Sequence, residues 1–410
     1  MSDEPASSRR RDAAARGAEL LRGMRGLSGK LAQVRDVVPP ALRDGDGGPP
    51  APPDPLPWGE VRSILEAAWD DDAEAVLEEA GEAPAAIGSS GQVHRARLAG
   101  GGEVAVKVQR PGAEEAARAD LQNVSAVARL ASVFLPGIDP AALAAELRER
   151  TLEEFDYEFE AQAQRAAARA YRGHPFLAVP AAHTSLCTAT VLVSDWVDGA
   201  TLADLASAGQ AERDAAGEML VRFFLGGPHR TGRQHADPHP GNWRVRADGT
   251  LAVFDFGLTV ARDPGRLAAT GRLFDAGARR DADAAHAAAS ELGYLPDPTA
   301  VGPEELLEAA RSVAAWVVED RPVRIEPELL RTGGRALGAR GGSAGTLLGR
   351  ITLPAGDLMP RRAEAALAGV LAQLEPEANW RRISGEWWMG DPPATALGRA
   401  EAAFWRRRRR

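Results

Sequence analysis

The chain of 410 residues is 44% hydrophobic and 26% charged, and it carries a formal net charge of −9. This composition is typical of a folded protein with a sizeable core and excludes a disordered chain. The acidic balance argues against a dedicated nucleic-acid binder. The single cysteine, Cys187, excludes an intrachain disulfide and a metal site built from several cysteines.

The first 57 residues predict an extension that precedes the main fold. Residues 1–16 are polar and predict a disordered terminus. Apolar residues at helical spacing predict an amphipathic helix over residues 17–38, and the proline, glycine and aspartate of residues 39–57 predict a linker, so that 17–57 form a helical extension. Residues 58–80 return to helical spacing and are predicted to be helical.

The pattern then changes from a helical period to strict alternation. Residues 92–98 and 103–108 alternate on either side of three glycines, which predicts a β-hairpin. Residues 113–172 return to helical spacing. Residues 190–193 predict a short buried strand, because they are apolar and rich in β-branched side chains.

The rest of the chain is predicted to be mostly helical, apart from short strands at residues 243–245 and 251–254. Strands followed by helices predict an α+β fold with two lobes. We place the N-lobe and its helical insertion at residues 58–198, the C-lobe at 199–350, and a helical C-terminal region with a basic tail at 351–410. No apolar run reaches the length of about 18 residues that a membrane-spanning helix needs.

The most informative residues for function lie between His235 and Gly257. Asp237 stands five residues before Asn242 in the segment His-Ala-Asp-Pro-His-Pro-Gly-Asn, and Asp255 opens an Asp-Phe-Gly segment. Phosphoryl transfer with ATP and Mg²⁺ in kinase-like folds requires this order and spacing. We predict Asp237 to be the catalytic acid or base and Asn242 and Asp255 to be Mg²⁺ ligands. The alternative for Asp237 and Asn242 is a proline-rich turn that caps a helix. His235 and His239 could suggest a metal site, but no cysteine or third histidine lies nearby in the sequence, so His235 is interpreted as a packing residue that holds the loop.

Two further elements upstream fit an ATP site. Lys107 ends a Val-Ala-Val-Lys strand and is predicted to hold the α- and β-phosphates, although a solvated lysine on an edge strand would look the same in isolation. A glycine-containing loop lies just before the hairpin, where backbone N–H groups can approach phosphate oxygens closely. The predicted nucleotide contacts of this loop and its following strand are Gly88, Ser89, Ser90, Gly91 and Val93.

Taken together, these residues resemble the UbiB-type atypical kinases, also called the AarF or ADCK-like family. The phrase around Asp237 is characteristic of that family, as is the stretch Val-Ala-Val-Lys-Val-Gln-Arg-Pro-Gly around Lys107. The resemblance covers roughly residues 20–260. It implies an atypical protein-kinase-like fold in which Glu160 pairs with Lys107. It also implies a hinge at Asp195 to Val197 that contacts the nucleotide.

The family also carries a regulatory extension, which the resemblance places at the N-terminus of this chain. The family signature Lys-x-Gly-Gln corresponds to Lys30-Leu-Ala-Gln33, in which alanine replaces glycine. The resemblance implies that Lys30 and Gln33 dock against an acidic element formed by Glu154 and Asp156. A second departure is Gly88, which occupies a position where the family has alanine and which should favour closer phosphate contact.

The resemblance implies an ATP-binding, Mg²⁺-dependent kinase or ATPase that acts in lipid or isoprenoid quinone metabolism. We expect a cytoplasmic protein, with a peripheral position at the inner face of the membrane. A phosphoryl acceptor from lipid or quinone chemistry is expected, and no nucleic acid. The alternatives are a small-molecule phosphotransferase of the aminoglycoside- or choline-kinase type and a non-catalytic, ATP-responsive scaffold.

The C-terminal residues 402–410 leave two interpretations open. Phe404 and Trp405 precede a run of arginines, and aromatic residues beside a basic cluster suit an anionic bilayer surface. A solvated, disordered tail is the alternative.

Overall fold

The computed structural model describes residues 53–70, 73–88, 90–134, 139–338, 347 and 350–408. The α-helices within these ranges are α1 (Trp58–Trp69), α2 (Ala73–Val76), α3 (Ala113–Phe134), α4 (Pro140–Glu153), α5 (Tyr157–Tyr171), α6 (Leu202–Ala206), α7 (Gln210–Val221), α8 (Gly227–Thr231), α9 (Pro264–Arg279), α10 (Ala282–Glu291), α11 (Pro303–Val318), α12 (Pro327–Gly338), α13 (Ala355–Leu374), α14 (Trp380–Trp388) and α15 (Ala396–Arg408). The strands are β1 (Leu77–Ala80), β2 (Ala86–Ile87), β3 (Gly91–Leu98), β4 (Glu103–Gln109), β5 (Leu177–Ala178), β6 (Val191–Asp195), β7 (Arg233–His235), β8 (Trp243–Val245), β9 (Leu251–Val253), β10 (Thr259–Ala261), β11 (Val323–Arg324) and β12 (Glu377–Ala378).

The N-lobe is built on one antiparallel sheet in the order β1-β3-β4-β6, with β2 paired to β3. The predicted hairpin is confirmed as β3 and β4, and the predicted strand at 190–193 is confirmed as β6. Alternate residues of β4, namely Val104, Val106 and Val108, are buried against α1, which contributes Val61 and Leu65. The opposite face of β4 therefore carries Lys107 towards the second lobe.

The prediction of helix throughout residues 58–80 is wrong in its second half. Helix α1 ends at Trp69, because Asp70 adopts a left-handed conformation with φ of 51°. After the short α2, the chain forms β1, which pairs with β3 through Leu77 and Ala80. Leu77 matches the helical period, but the open edge of β3 offers it backbone hydrogen bonds and a buried position, and this tertiary pairing overrides local preference.

Three helices separate β4 from β6. Helices α3 and α4 form an antiparallel pair, and α5 then returns to the sheet. The α3–α4 pair packs against the C-lobe through a small apolar cluster that includes Leu121, Phe155, Ala236 and Leu358. The helical insertion therefore contacts the start of the His235 to Gly257 segment as well as the N-lobe.

The C-lobe has one large apolar core. It contains residues from α7, β9, α13 and α14, including Leu220, Leu251, Leu371 and Trp380. The predicted C-lobe and the predicted C-terminal helical region thus share a core. The predicted strands at 243–245 and 251–254 are confirmed as β8 and β9, although β9 ends at Val253. They pair antiparallel, so that Asn242 directly precedes the hairpin and Asp255 follows it closely.

The C-terminal helix corrects the sequence-based view of the tail. Residues up to Arg408 belong to α15, so this part of the tail is not disordered. Phe404 is only 4% exposed and packs edge-on against His174, and Trp405 packs partly buried against the same core. The prediction of a bilayer contact is therefore wrong for Phe404, which is committed to the protein interior, and Trp405 is partly engaged by the same core.

Candidate active site

Three charged side chains meet in the cleft between the lobes, and we call them the Lys107 cluster. The Lys107 Nζ lies 2.9 Å from Glu160 Oε2 and 3.1 Å from Asp255 Oδ2. Lys107 comes from β4, Glu160 from the first turn of α5, and Asp255 from the segment after β9. These groups are 53 and 148 residues from Lys107 along the chain, and the fold brings them together.

The electrostatics of the Lys107 cluster follow from one cation shared between two carboxylates. Burial alone would lower the pKa of Lys107, but the Asp255 and Glu160 carboxylates raise it well above its usual value. Burial and the neighbouring Asp255 raise the pKa of Glu160 to about 7. Desolvation of the partly exposed Asp255 carboxyl would raise its pKa, but Lys107 lowers it. Asp255 therefore keeps the charge that a metal ligand needs, and Glu160 is the carboxylate closer to protonation.

The phosphate loop is a tight turn held by backbone hydrogen bonds. The Gly88 N–H donates to the Gly91 carbonyl at 2.8 Å, and the Arg110 N–H donates to the Ser90 carbonyl at 2.9 Å. A Cβ at Gly91 would collide with the Val108 carbonyl, so this position requires glycine. A Cβ at Gly88 would meet only the Gly91 carbonyl, at 3.6 Å, so alanine fits there.

Two of the predicted loop contacts need separate mention. Ser89 lies outside the described residues. Val93 pairs directly with Lys107 across the β3–β4 ladder, which fixes the register of the loop against the lysine. The structure therefore places the loop and Lys107 at the same end of the cleft, and the nucleotide contacts of the loop stay predictions.

Asp237 and Asn242 face each other across the proline-rich loop between β7 and β8. The Asn242 side-chain amide donates to Asp237 Oδ2 at 2.9 Å and to the Asp237 carbonyl at 3.2 Å. The Phe254 N–H donates to the Asn242 carbonyl, which joins this loop to the segment that carries Asp255. The two predicted roles, catalytic acid or base and metal ligand, thus fall on residues that share a rigid loop.

His235 holds this loop from below. Its ring packs edge-on against Phe224 and Phe256 at 5.3 and 4.9 Å. The Asp237 N–H donates to His235 Nδ1, so the ring proton sits on Nε2, which faces the Phe254 carbonyl at 3.3 Å. Burial lowers the pKa of His235 and keeps the ring neutral. The structure therefore agrees with its predicted packing role.

The oxygen donors of the site fit Mg²⁺ bound together with phosphates. Asp255 adopts a left-handed conformation with φ of 60°, which turns its carboxylate into the cleft towards Lys107. Among the described residues there is no group of three histidine, cysteine or acidic side chains that would hold a metal alone. Mg²⁺ normally takes one or two protein oxygens and completes its shell with water and phosphate. Asp255 and Asn242 supply such oxygens.

The predicted hinge starts at the last residue of β6 and lies beside the first residue of β4. The Trp196 N–H donates to the Glu103 carbonyl, which continues the pairing between β4 and β6. The Asp195 carboxylate is engaged on the far side, with the Ala181 N–H at 3.2 Å and His183 at 2.9 Å. Val197 follows in the segment between the lobes and is half-buried. Nucleotide contacts by Asp195 and Val197 stay predictions.

The two acids of the predicted regulatory element have different settings. Asp156 caps α5, since its Oδ1 accepts from the N–H groups of Glu158 and Phe159 at 3.1 Å. Glu154 lies in the preceding turn and helps to raise the pKa of Glu160. Lys30 and Gln33 lie outside the described residues, so their docking to this element stays a prediction.

Tyr157 is a residue of the cleft that the sequence pattern did not predict. It is fully buried, and its ring lies 4.9 Å from the Lys107 ammonium. A signal was present in the sequence: an aromatic residue directly follows the Asp156 cap and precedes Glu160 by one helical turn. Only the packing of α5 under β4 shows that this face of the helix turns towards the cleft.

Comparison with known proteins identifies the family. Residues 52–288, more than half of the chain, match the sequence profile of the ABC1 atypical kinase-like domain. This chain belongs to the ABC1 atypical kinase-like family. The predicted resemblance to the UbiB and ADCK-like kinases is thereby confirmed, since these names denote the same family.

Curated relatives of this ABC1 kinase-like chain include proteins from a cyanobacterium and a plant. An uncharacterised protein of Synechocystis is 31% identical over 252 residues, covering 58% of this chain and 62% of the relative. Protein Activity of BC1 Complex Kinase 3, chloroplastic, from Arabidopsis thaliana is 31% identical over 239 residues, covering 56% of this chain and 31% of the relative. The matches thus span from about a third to three fifths of these relatives.

A solved structure supports the fold. The complex of the Mycobacterium tuberculosis protein Rv3197 with erythromycin superposes with a TM-score of 0.69 and 28% sequence identity, covering 82% of this chain and 85% of that chain. The predicted two-lobed, kinase-like α+β fold is therefore confirmed. None of the helices that the structure describes is long and apolar enough to cross a membrane.

Proposed function

We propose that this protein binds ATP with Mg²⁺ and acts as an atypical kinase or ATPase. The observation that carries the proposal is the Lys107 cluster, in which one ammonium group bonds both the α5 glutamate and the aspartate of Asp-Phe-Gly. Kinase-like sites use the same three residue types to hold nucleotide phosphates and metal. Membership of the ABC1 atypical kinase-like family supports the same chemistry.

The residues of the cleft divide the work as follows. Lys107, oriented by Glu160, binds the α- and β-phosphates, and the turn around Gly88 and Gly91 covers them with backbone N–H groups. Asn242 and Asp255 would hold Mg²⁺, which neutralises the charge that develops on the phosphates during transfer. Asp237 accepts a proton from the attacking hydroxyl or water, since its Asn242 hydrogen bond fixes its orientation.

The test of nucleotide binding is calorimetry with Mg-ADP and Mg-ATP. Asp255→Asn keeps the shape of the residue and removes its charge, and we expect affinity to fall at least about tenfold, or 1.4 kcal/mol. The matched control is Asp283→Asn, which neutralises an exposed carboxylate on α10. Equal Mg-ATP affinity in wild type and Asp255→Asn would show that Asp255 is not the metal ligand. If the wild type does not bind Mg-ATP or Mg-ADP, the proposed function itself is contradicted.

The acceptor in this proposal is a lipid or a molecule of isoprenoid quinone metabolism, met at the inner face of an anionic membrane. The exposed arginines of α15 and α5 support this location. Arg408 donates to the carbonyls of Arg169 and Arg172, so the basic ends of the two helices lie together. The basic surface of the described residues comprises Arg165, Arg169, Arg172, Arg406, Arg407 and Arg408.

Co-sedimentation with phosphatidylglycerol vesicles tests the membrane contact. Replacing Arg406 and Arg407 with glutamine leaves the Phe404 packing intact, and each lost arginine should weaken binding by about 1 kcal/mol. The control replaces Arg279 and Arg280, two exposed arginines at the end of α9. Equal pelleting of the two double variants would remove the basic surface from the proposal. Salt should release the wild-type protein without detergent.

Turnover measurements separate the alternatives. ATP hydrolysis that vesicles stimulate supports an enzyme at the membrane, whereas nucleotide binding without turnover favours an ATP-responsive scaffold. A second candidate function is the binding or phosphorylation of a bulky compound of the size of erythromycin. The structural likeness to the Rv3197–erythromycin complex favours it. Thermal shift with erythromycin, repeated at saturating Mg-ADP, tests it. An unchanged melting temperature in both conditions contradicts this candidate.

A further inference from the structure

Tyr157 is the buried polar residue of the cleft that the proposed chemistry leaves without a role. It is the first residue of α5 and its exposure is 0%. The Asp156 cap fixes the start of the helix, and the Tyr157 N–H donates to the Ala189 carbonyl at 3.2 Å. Tyr157 is thus held firmly between the lobes, one helical turn before Glu160.

The ring of Tyr157 lies next to the Lys107 ammonium. The distance from Nζ to the ring centroid is 4.9 Å, within the range in which an aromatic face attracts a cation. Lys107 therefore touches three groups at once: two carboxylates and one aromatic ring. If Asp255 held a metal, the ring and Glu160 would still keep the ammonium in the cleft.

The hydroxyl of Tyr157 lies under the phosphate loop. A Cβ at Gly91 would stand 2.8 Å from this hydroxyl oxygen, so the last glycine of the loop rests directly on the phenol. No described residue meets hydrogen-bond geometry with the oxygen. Burial raises the pKa of Tyr157 to about 12, and the nearby Lys107 and the Ser90 side chain oppose that rise. A buried hydroxyl without a well-aligned partner destabilises the fold, and phenylalanine would fill the same space without that cost.

We propose that Tyr157 is a positioning residue that seats both the Lys107 ammonium and the phosphate loop, and so fixes the spacing between them that nucleotide phosphates occupy. This inference rests on the proposed nucleotide site and adds a residue to it. The ring sets the position of the ammonium, and the hydroxyl makes a smaller contribution by supporting Gly91. Tyr157 acts through these two groups and does not itself touch the reacting atoms.

The sequence offers an unusually clean probe of this arrangement. Lys30 and Lys107 are the only two lysines of the chain. Protein labelled with ¹³C at lysine Cε therefore gives two lysine signals, and Lys30→Arg assigns them. A lysine ε-methylene over an aromatic face is shifted upfield by the ring current, so the Lys107 signal reports directly on Tyr157.

The experiment compares the full-length wild type with Tyr157→Leu, Tyr157→Phe and Tyr171→Leu. Tyr171 is a matched control, because it is also buried in α5 with its hydroxyl against a glycine, Gly227. It lies at the other end of the helix, roughly 21 Å away at about 1.5 Å per residue. We expect Tyr157→Leu to lose the upfield shift of Lys107 and Tyr157→Phe to keep it.

Calorimetry with Mg-ADP supplies the second readout. Tyr157→Leu should bind Mg-ADP about tenfold more weakly, whereas Tyr157→Phe should stay within about threefold of the wild type. Tyr171→Leu should lower the melting temperature and change neither readout. Unchanged Lys107 signals and unchanged affinity in Tyr157→Leu would overturn the inference.

The outcomes separate this inference from the proposed function. If the wild type binds no nucleotide, the proposed nucleotide site is wrong. If the upfield shift of Lys107 is nevertheless lost in Tyr157→Leu, the positioning of Lys107 by Tyr157 is supported. If Tyr157→Leu does not fold, a nuclear Overhauser effect between the Lys107 ε-methylene and the Tyr157 ring in the wild type decides. Its presence supports the seating, and its absence overturns it.

Discussion

The cleft and the C-lobe core each hold a buried cation among several carboxylates, and they use it differently. In the core, Arg222 bonds Glu218, Glu386 and Glu401, and all three of its nitrogens donate, one of them also to Thr395. We call these five residues the Arg222 cluster. Its guanidinium is 0% exposed and joins α7 to the C-terminal helices. The cluster is fully hydrogen-bonded and therefore fixed.

The Lys107 cluster is less complete. Its ammonium bonds two carboxylates, but 41% of the Asp255 side chain is exposed, and the Tyr157 hydroxyl beside the cluster has no well-aligned hydrogen-bond partner in the part of the chain that the structure describes. A lysine offers a compact charge on a flexible stem, whereas arginine offers a planar fork that locks several acceptors. The buried Arg222 cluster, in which every donor of the guanidinium is hydrogen-bonded, is structural. The Lys107 cluster contains an exposed carboxylate and an incompletely paired hydroxyl, so its groups can exchange partners.

The largest loss of folding stability is expected when Arg222 is replaced. Arg222→Lys cannot reproduce donation to four partners, so it leaves buried carboxylates unpaired and should cost about 3–5 kcal/mol of folding free energy. Denaturant unfolding measures it, with Arg399→Lys, an exposed arginine of α15, as control. If both variants unfold at the wild-type midpoint, the Arg222 cluster is not the fixed element described above.

A large catalytic effect without a stability effect is expected in the cleft. Asp237→Asn should lower kcat by about a hundredfold or more, because it removes the group that accepts a proton. Affinity for Mg-ATP and the midpoint of unfolding should stay close to wild-type values, since Asn242 and the loop backbone keep their hydrogen bonds. Equal rates of ATP hydrolysis in the variant and the wild type would show that Asp237 is not the catalytic acid or base.

The smallest effect concerns pH. Because the pKa of Glu160 is raised from 4.5 to about 7, its protonated form favours folding below the ordinary pKa, and this contribution is lost as pH rises through about 7. The ¹³C signal of Lys107 should titrate near that pH, with Lys30 as internal control. In Asp255→Asn the midpoint should fall, because one neighbouring negative charge is gone. A midpoint that stays in place would mean that Asp255 does not act on Glu160.

Local patterns were sufficient to predict much of the fold. The alternation of β3 and β4 and the apolar β6 were predicted correctly, because strand period and β-branched residues act over short distances. The spacing of Asp237 and Asn242 was enough to predict that they lie together, and the Phe254 N–H joins the segment before Asp255 to the Asn242 carbonyl.

The misses concern contacts between distant segments. Leu77 fits a helical period, and only the edge of β3 makes it a strand residue. Phe404 stands beside a basic run, and only the groove around His174 turns it inward. Tyr157 carries no charge that would single it out, and its importance depends on Lys107, which is far away in the sequence. In each case the deciding partner lies beyond the reach of a local pattern.

The long separations within the Lys107 cluster also bear on how the protein folds. Glu160 and Asp255 follow Lys107 by 53 and 148 residues, so the cluster closes two long loops of chain. Closing such loops costs entropy before any contact is made, and nonlocal contacts form late for that reason. During synthesis the cleft therefore stays incomplete until the chain beyond Asp255 has emerged. A nucleotide bound as proposed would therefore stabilise only a chain whose two lobes have already met, and it would act on the finished fold and not on its early intermediates.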